Sequence, residues 1–291
     1  AFQSALDYAK DRKQGSSIQQ WKDPAAPRVA IIEHPDVRRM LLEMKAKVEG
    51  IRALIVKLSM HQDRVTALAG KSDEQAAYHH GQVELLTPLV KAYASEEAFK
   101  ICALAVQVHG GAGFTRDYPV EQYLRDSKIF TIYEGTTHIQ ALDLILRKLA
   151  KDGGATLQGL LGRIRTTLET NEGGDALAKE REALNEALTN VEMAFGHLLE
   201  KLGESLYHAG LQGNRLLFGL AELVIGWLLI RHAAVALKKR ATATGEDAAF
   251  YDGKVASARF FASEVLPNLV MLPKHVSGST LKLMELADEA F

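Results

Sequence analysis

Cysteine and proline are both scarce in this chain of 291 residues. With a single cysteine, Cys102, no disulfide can form within the chain, and a lone cysteine in an apolar run is more often a packing residue than a reactive one. A reducing, cytoplasmic setting is therefore the simplest interpretation. Only seven prolines occur, and long windows contain none of them, which argues against a chain built mainly of turns and loops.

Strong net charge and long apolar runs are missing too. The net charge is −1, so nothing in the composition predicts nucleic acid as a partner. The most apolar stretch, 223–230, lies between Glu222 and Arg231 and is too short to span a bilayer. Residue 1 is alanine, no secretory signal pattern follows it, and the first ten residues already have a helical pattern. We expect a piece that starts inside a longer protein and has no membrane span.

Apolar residues at three- and four-residue steps dominate the chain and predict helices. In 34–60 they form one continuous face that begins beside Pro35, a residue suited to the first turn of a helix. Ser72 and Ser95 stand where they would cap the next two helices. No stretch has a strand pattern. The helices predicted after the first are 34–60, 72–93, 95–109, 120–126, a helix that ends near 150, 155–170, 175–202, 204–240 and 249–287, the last interrupted by Pro267 and Pro273.

Glycine clusters divide the chain. Lys-Asp-Gly-Gly at 151–154 separates a first block, 1–150, from a second block, 151–291, so we predict an all-α fold of two stacked helical bundles. We expect the second block to pack on the first as a separate helical unit without catalytic residues. Within the first block, GGAGFTRDYP at 110–119 is predicted to be a loop.

This loop contains more glycine than a helix end requires. One glycine satisfies a helix C-cap, whereas Gly110, Gly111 and Gly113 are three. Paired glycines allow positive φ and close approach of a ligand, so capping and ligand binding are equally supported. Arg12, at the end of the first helix, has two interpretations as well. It either complements the helix dipole or donates to a pyrophosphate.

Glu134 stands where an extended stretch, Thr131 to Tyr133, changes into a helix. It is either a first-turn acid that matches the helix dipole or a catalytic base at the mouth of a cleft. His138 follows four residues later, which raises the alternative of a shared metal. Carboxylate-bridged helical bundles, however, use Glu-x-x-His motifs, and this chain has none. We therefore expect no metal site.

Three segments resemble, in their order and spacing, the C-terminal helical domain of the acyl-CoA dehydrogenases. They are ALDYAKDRKQG at 5–15, QVHGGAGFTRDYPVEQYLRDSK at 107–128 and IFTIYEGTTHIQ at 129–140. The resemblance covers roughly residues 2–150. The long extension after it is similar to that of larger bacterial members, among them those that act on 3-methylmercaptopropionyl-CoA.

The resemblance implies a four-helix-bundle C-terminal domain followed by a second helical-bundle domain. It also implies FAD-dependent α,β-dehydrogenation of an acyl-CoA thioester to a trans-2-enoyl-CoA. Glu134 would take the α-proton, and Tyr133 and Gly135 would lie beside the substrate, although Tyr133 by itself is expected to pack. If Glu134 is only a first-turn acid, Glu96 and Glu97 are the next candidates for the base.

Contacts to FAD follow from the same resemblance. Arg12 would meet the pyrophosphate of a neighbouring subunit's flavin, and Gln107 and Gly111 would meet its adenosine end. Thr136, after the base, would touch the bound FAD. The candidate cofactor-binding residues are Arg12, Gln14, Gln107, Gly110, Gly111, Thr136 and His138.

Two of these positions depart from the family pattern. Gln14 stands in a segment that lacks the family's usual aromatic residue, and His138 stands where glutamine is common. Arg125 is expected to be a structural ion-pair residue, and His109 a solvated or capping one.

The partners implied by the resemblance are acyl-CoA, a separate electron-transfer flavoprotein as electron acceptor, and further copies of the chain. We expect a homodimer or a dimer of dimers, because the candidate flavin contacts face a neighbouring subunit and because long apolar faces at 37–58 and 184–206 need covering. The alternative hypothesis, of a different class, is a non-catalytic helical oligomerisation fragment that is inactive without N-terminal and β domains.

Overall fold

The computed structural model describes all residues, 1–291, and contains helices but no sheet. The one extended pairing is an isolated antiparallel bridge between Lys13 and Ala30. The predicted all-α class is therefore confirmed. The α-helices are α1 Phe2–Asp11, α2 Pro35–Leu68, α3 Asp73–His109, α4 Gly111–Phe114, α5 Val120–Ser127, α6 Thr137–Leu142, α7 Ala155–Glu169, α8 Ala178–Glu204, α9 Tyr207–Arg240, α10 Gly245–Glu264 and α11 Leu272–Ser277.

The helix α3 is one continuous helix, so the predicted division into 72–93 and 95–109 is wrong. Ser95 does not cap a helix here: its hydroxyl donates to the carbonyl of Lys91 at 2.5 Å. This back-bond is the usual alternative for a serine inside a helix. Ser72 does precede the first turn of α3 but makes no side-chain capping bond. As a result, α3 runs unbroken along the first block and carries contacts at both of its ends.

The helix α9 lies at the centre of the molecule. Its side chains are buried around most of its circumference, which is typical of a core helix. It packs on α8 and α10 and also on α2, α3 and α6 of the first block. At Gly50 of α2 the two helices approach so closely that a Cβ would lie 2.3 Å from Ile225 Cγ2. Glycine is therefore required where α2 and α9 cross.

One hydrophobic core of 46 buried residues contains members of both blocks. Leu54 and Leu86 from the first block and Val224 and Phe261 from the second all belong to it. The boundary at residue 150 stays a prediction, but the two parts share this core. A smaller core of ten residues, which includes Ala5, fixes α1 against α2 and α3.

The apolar faces that motivated a second subunit are used inside the chain. In 184–206, Leu184 and Leu198 are buried, and in 37–58, Met44 is fully buried. Most of these faces pack on neighbouring helices, while Ile55 and Leu206 stay exposed. The buried residues give no argument for a dimer, so the expected oligomer rests mainly on the candidate flavin contacts.

The C-terminal stretch is less regular than predicted. Helix α10 ends at Glu264, a 3₁₀ segment spans Leu266–Met271, and α11 ends at Ser277. Pro267 and Pro273 each stand at the start of a new segment, where the missing N–H is tolerated. The predicted interruptions at Pro267 and Pro273 are confirmed, but the last ten residues of the predicted range 249–287 are not α-helical.

Two helical stretches, Tyr207–Arg240 and Gly245–Ser277, are long and apolar enough to cross a membrane by length and composition alone. The expectation of no membrane span considered only 223–230 and therefore understated the length of apolar helix in the chain. Core helices pass the same test, and 72% of the most apolar window in the first stretch is buried inside the protein. This is weak evidence for a membrane span.

Candidate active site

Glu134 lies on a sharp turn between two short helical segments. The 3₁₀ segment Lys128–Thr131 precedes it, and α6 begins at Thr137. Glu134 has φ of 57° and Gly135 has φ of 85°. Two consecutive residues in the left-handed region reverse the chain direction, and for a glutamate this conformation costs roughly 1–2 kcal/mol. Backbone strain of this kind clusters at functional sites.

Lys91 of α3 fastens the turn on both sides of Glu134. Its Nζ donates to the carbonyl of Phe130 at 2.9 Å and to the carbonyl of Gly135 at 2.7 Å. The same Nζ lies 5.8 Å from the centre of the Tyr133 ring, within the range of a cation–π contact. Burial lowers the pKa of Lys91, against the opposing effect of nearby carboxylates that include Glu134.

A cleft of about 350 Å³ opens beside the turn. Its lining residues are Lys91, Ala94, Ser95, Phe130, Tyr133 and Glu134, of which Glu134 is the one acid. Tyr133 is 51% exposed, so the expectation that it packs was wrong. Ile132 and Ile139 are exposed nearby, and contiguous exposed apolar residues of this kind mark a binding surface.

Polar contacts at the start of α6 complete the turn. The Thr136 hydroxyl oxygen accepts the Ile139 N–H at 3.3 Å, which makes Thr136 the N-cap. The Gln140 side chain donates to the Glu134 carbonyl at 3.2 Å. His138 Nδ1 lies 3.2 Å from Asn214 Oδ1 of α9. The backbone of the turn is held by side chains, while the Glu134 side chain itself is exposed.

The two other acids considered as bases, Glu96 and Glu97, are already bonded to other side chains. Glu97 is 2% exposed and forms ion pairs with Lys47 at 2.8 Å and Lys100 at 2.7 Å. Glu96 accepts a hydrogen bond from the Thr137 hydroxyl at 2.6 Å. Glu97 joins α2 to α3, and Glu96 joins α3 to α6. Their contacts are structural, and neither residue lines the cleft.

The glycine segment after α3 is built differently. Gly110 has φ of 60° and ψ of −140°, a conformation that is open essentially to glycine alone. Gly113 lies so close to the preceding turn that a Cβ would be 2.8 Å from the Val106 carbonyl oxygen. Around Gly111, by contrast, nothing lies within 4 Å of a Cβ position. Part of the predicted loop is the short helix α4, and the backbone at Gly110 and Gly111 is open to solvent.

His109 has a role that the sequence did not reveal. It is 3% exposed, its Nδ1–H donates to the Ala105 carbonyl at 2.7 Å, and its ring stacks on Tyr8 with centroids 4.4 Å apart. The Tyr118 ring packs against it at 5.1 Å. The expectation of a solvated or capping residue was wrong. This aromatic stack joins the end of α1 to the end of α3.

Arg12 follows Tyr8 by one helical turn and is exposed. Its Nη2 donates to Gln14 Oε1 at 3.0 Å, and no carboxylate forms an ion pair with it. The Gln14 backbone carbonyl is bonded to His34 Nε2 at 2.7 Å, which holds the segment after α1 in place. Arg12 therefore presents an unneutralised guanidinium to solvent, one turn after the Tyr8 ring that stacks on His109.

The structure divides the candidate cofactor residues into two groups. Gln107, exposed on α3, follows Lys91 by 16 residues, which corresponds to about 24 Å along a helix. One group lies next to Glu134, and the other lies near the Tyr8–His109 stack. The first group is Thr136 and His138, and the second is Arg12, Gln14, Gln107, Gly110 and Gly111.

Two further predictions concern the role of Arg125 and metal binding. Arg125 Nε is 2.9 Å from Glu121 Oε2 on α5, the structural ion pair that the sequence predicts. No group of three or more His, Cys, Asp or Glu side chains is arranged to hold a metal ion.

Two family models match the chain. The model described as the acyl-CoA dehydrogenase C-terminal domain matches residues 1–149, and the model described as acetyl-CoA dehydrogenase C-terminal like matches residues 160–287. Together they account for most of both blocks.

Curated relatives include the broad-specificity linear acyl-CoA dehydrogenase of Mycobacterium tuberculosis, which is 42% identical over 100% of this chain and 48% of its own length. The 3-methylmercaptopropionyl-CoA dehydrogenase of Ruegeria pomeroyi is 40% identical over 91% of this chain and 44% of its own length. The chain thus spans about half the length of these curated relatives.

Solved structures give the same fold. An acyl-CoA dehydrogenase of Bacillus anthracis complexed with FAD has a TM-score of 0.68 and 22% identity, over 99% of this chain and 47% of its own. ACDH-11 of Caenorhabditis elegans in complex with C11-CoA has a TM-score of 0.65 and 24% identity, over 90% and 40%. These likenesses show the fold, and the model that matches residues 1–149 shows the family: the chain belongs to the acyl-CoA dehydrogenases and carries the C-terminal part of such a protein.

Proposed function

We propose that the longer protein containing this chain is an FAD-dependent acyl-CoA dehydrogenase that forms a trans-2-enoyl-CoA, and that Glu134 is its base. One observation carries the proposal. Glu134 is the single acid lining a cleft, and it stands on a strained turn whose backbone is fixed by Lys91 and Gln140. A side chain that acts as a base must be held in reach of the proton it removes.

Three residues that line the cleft and the neighbouring Gly135 have parts in the proposed reaction. The carboxylate of Glu134 takes the α-proton of the thioester, and the C–H electron pair forms the new α,β double bond. FAD, when bound, would supply the acceptor for the β-hydrogen, which leaves with its electron pair as hydride. The exposed rings of Phe130 and Tyr133 would receive the acyl portion, and Gly135, whose φ of 85° favours glycine, would stand beside the thioester.

The second group of residues fits an anionic dinucleotide. Arg12 carries an exposed guanidinium without a carboxylate partner, which suits a pyrophosphate. Gly110 and Gly111 offer an open backbone that suits the adenosine end, with Gln107 exposed beside them. Thr136 and His138 would stand nearer the reacting end of a flavin.

A homo-oligomer is part of the proposal. The family resemblance assigns the second group to the flavin of a neighbouring subunit, and the separation of about 24 Å along α3 is compatible with contacts to two different flavins. The chain alone contains one wall of the cleft, with Glu134 exposed, so we expect it to be inactive and to need the rest of the longer protein to exclude water.

The electron acceptor and the compartment are proposals from the family alone. We propose a separate electron-transfer flavoprotein as acceptor and a cytoplasmic location. Reoxidation of the reduced enzyme should be slow in air and fast when electron-transfer flavoprotein is added. Fast reoxidation by oxygen alone would instead indicate an oxidase.

The test uses the full-length flavin-loaded protein. Glu134→Gln should keep a normal flavin spectrum and still bind acyl-CoA, but the flavin should not bleach when acyl-CoA is added without an acceptor. The control is Glu200→Gln, an exposed acid on α8, which should bleach like the wild type. Bleaching of Glu134→Gln at the wild-type rate would reject Glu134 as the base; it would then be only an acid of the turn before α6, whose first turn contains no acid.

A further inference from the structure

Lys91 is anchored on the most continuous element near the cleft. Its neighbours on α3, Ala92 and Tyr93, are fully buried, and the Ser95 hydroxyl bonds to its carbonyl. The side chain therefore extends from a rigid helix toward the turn. Of its three N–H groups, two are directed at backbone carbonyls, those of Phe130 and Gly135.

These two carbonyls lie on opposite sides of Glu134 in the sequence. A charged donor makes stronger hydrogen bonds than a neutral one, and here both bonds come from one ammonium. The turn between them contains the one non-glycine residue near the cleft with positive φ, Glu134 at 57°. A strained conformation persists only where the surroundings determine it, and Lys91 supplies that constraint.

A second contact from α3 fixes only one side of the turn. The Thr137 hydroxyl bonds to Glu96 at 2.6 Å, after Glu134 in the sequence. Without Lys91, the part of the turn before Glu134, which contains Phe130, would have no side-chain hydrogen bond to α3. Lys91 is thus the contact that closes the turn at both ends.

We propose that Lys91 is a positioning residue for Glu134: it holds the turn from Phe130 to Gly135 so that the carboxylate stays at the cleft. Lys91 acts through the backbone and not on the substrate. The proposal rests on the proposed role of Glu134 as base. Its consequence is that the rate of proton removal depends on hydrogen bonds from a lysine to the backbone of the turn.

The first measurement is amide hydrogen exchange in the full-length flavin-loaded protein. In Lys91→Met, which keeps the length of the side chain but has no donor and no charge, amides of 130–136 should exchange at least tenfold faster. Amides of the α9 core should be unchanged. The matched control is Lys128→Met, which removes a charge from the adjacent 3₁₀ segment, where Nζ lies over the Phe99 ring and bonds to no carbonyl. It should leave exchange over 130–136 unchanged.

The second measurement is steady-state kinetics with acyl-CoA. In Lys91→Met, kcat should fall about 10- to 100-fold, because a displacement of about 1 Å at a reacting group costs about that much. KM should stay within threefold. Lys91→Arg, which keeps the charge and donors, should recover part of kcat, and a variant that unfolds globally is excluded by thermal unfolding of the same sample.

Three results would contradict either the positioning role of Lys91 or the role of Glu134 as the base. Unchanged exchange over 130–136 in Lys91→Met overturns the positioning role. A fall in kcat with unchanged exchange overturns it too, since Lys91 would then act on the chemistry directly. Faster exchange over 130–136 and a wild-type kcat in Lys91→Met, together with an active Glu134→Gln, would support the role of Lys91 in holding the turn but reject Glu134 as the base.

Discussion

The turn at Glu134 and the glycine segment after α3 are both short, each contains one glycine with positive φ, and both lie beside α3. They are built in opposite ways. The first is crossed by hydrogen bonds from Lys91 and Gln140, and a Cβ at Gly135 would lie 2.9 Å from Gln140 Nε2. The second has nothing within 4 Å of a Cβ at Gly110 or Gly111.

This difference separates two uses of glycine in one protein. A turn that holds a reacting group must be fixed, so its glycine is surrounded by protein atoms. In the proposed function the other segment lies against a bound molecule and must leave space, and its Gly110 and Gly111 face solvent, whereas Gly113 is packed against the preceding turn. The same substitution should therefore have different effects at the two places.

The largest effect is expected for Glu134→Asp in the full-length protein. The shorter side chain withdraws the carboxylate by about one methylene, and kcat should fall roughly 100-fold. Aspartate tolerates the left-handed region better than most residues, so the unfolding free energy should change by less than about 0.5 kcal/mol. Stopped-flow reduction of the flavin and urea unfolding give the two values. A kcat near that of the wild type would mean that the turn need not be fixed.

Gly135→Ala should come next. Its φ of 85° is strained for alanine, and the unfolding free energy should fall by roughly 1–2 kcal/mol. The nearest atom, Gln140 Nε2, is at the flexible end of its side chain and should move aside. The backbone strain at residue 135, and not the contact with Gln140, therefore decides the loss of stability. Urea unfolding measures it. A neutral result would place Gly135 among the open glycines and remove the contrast.

Thr136→Ala should lower the free energy of unfolding by about 1 kcal/mol, because it removes the N-cap oxygen that accepts the Ile139 N–H. Thr136→Ser keeps that oxygen and is the control, with an expected loss of a few tenths of a kcal/mol. The difference in urea midpoint between the two variants isolates the cap. Equal midpoints would show that the start of α6 is held by the Thr137–Glu96 bond instead.

The smallest effect on stability is expected for Gly111→Ala, within about 0.5 kcal/mol, because the site is open and its φ is not positive. Its consequence should be a loss of FAD, measured as a several-fold higher dissociation constant for the flavin. Gly162→Ala, at another open helical glycine in α7, should leave FAD affinity unchanged. Full retention of FAD by Gly111→Ala would remove this segment from the proposed cofactor site.

The fold class followed from the sequence because apolar periodicity is a local signal. The errors arose where a residue has two possible roles. Ser95 matches a helix N-cap in type, but in a long buried helix its hydroxyl bonds to the preceding turn. The apolar face at 184–206 was correctly recognised, but the pattern does not say which helix covers it.

The candidate site was predicted in part. Glu134 was singled out by its position before a glycine and a helix start, and its role remains a prediction. Lys91 was missed, because a lysine inside a helix usually extends into solvent. The signal was its setting between Leu89, Val90, Ala92 and Tyr93, where a charged residue interrupts an apolar run. His109 was misjudged for the converse reason, since a neighbouring glycine pair suggests exposure.

The close crossing of Gly50 and Ile225 has a consequence for synthesis on the ribosome. The two residues are 175 positions apart (225 − 50), so α2 leaves the ribosome long before its partner α9 exists. At roughly 5–20 residues per second, the wait is on the order of 10–35 s. During this time Leu54, Leu86 and the other first-block members of the shared core can pack on each other but lack the α9 side chains that complete the core. The nascent first block is therefore the stage at which this protein should depend most on chaperones.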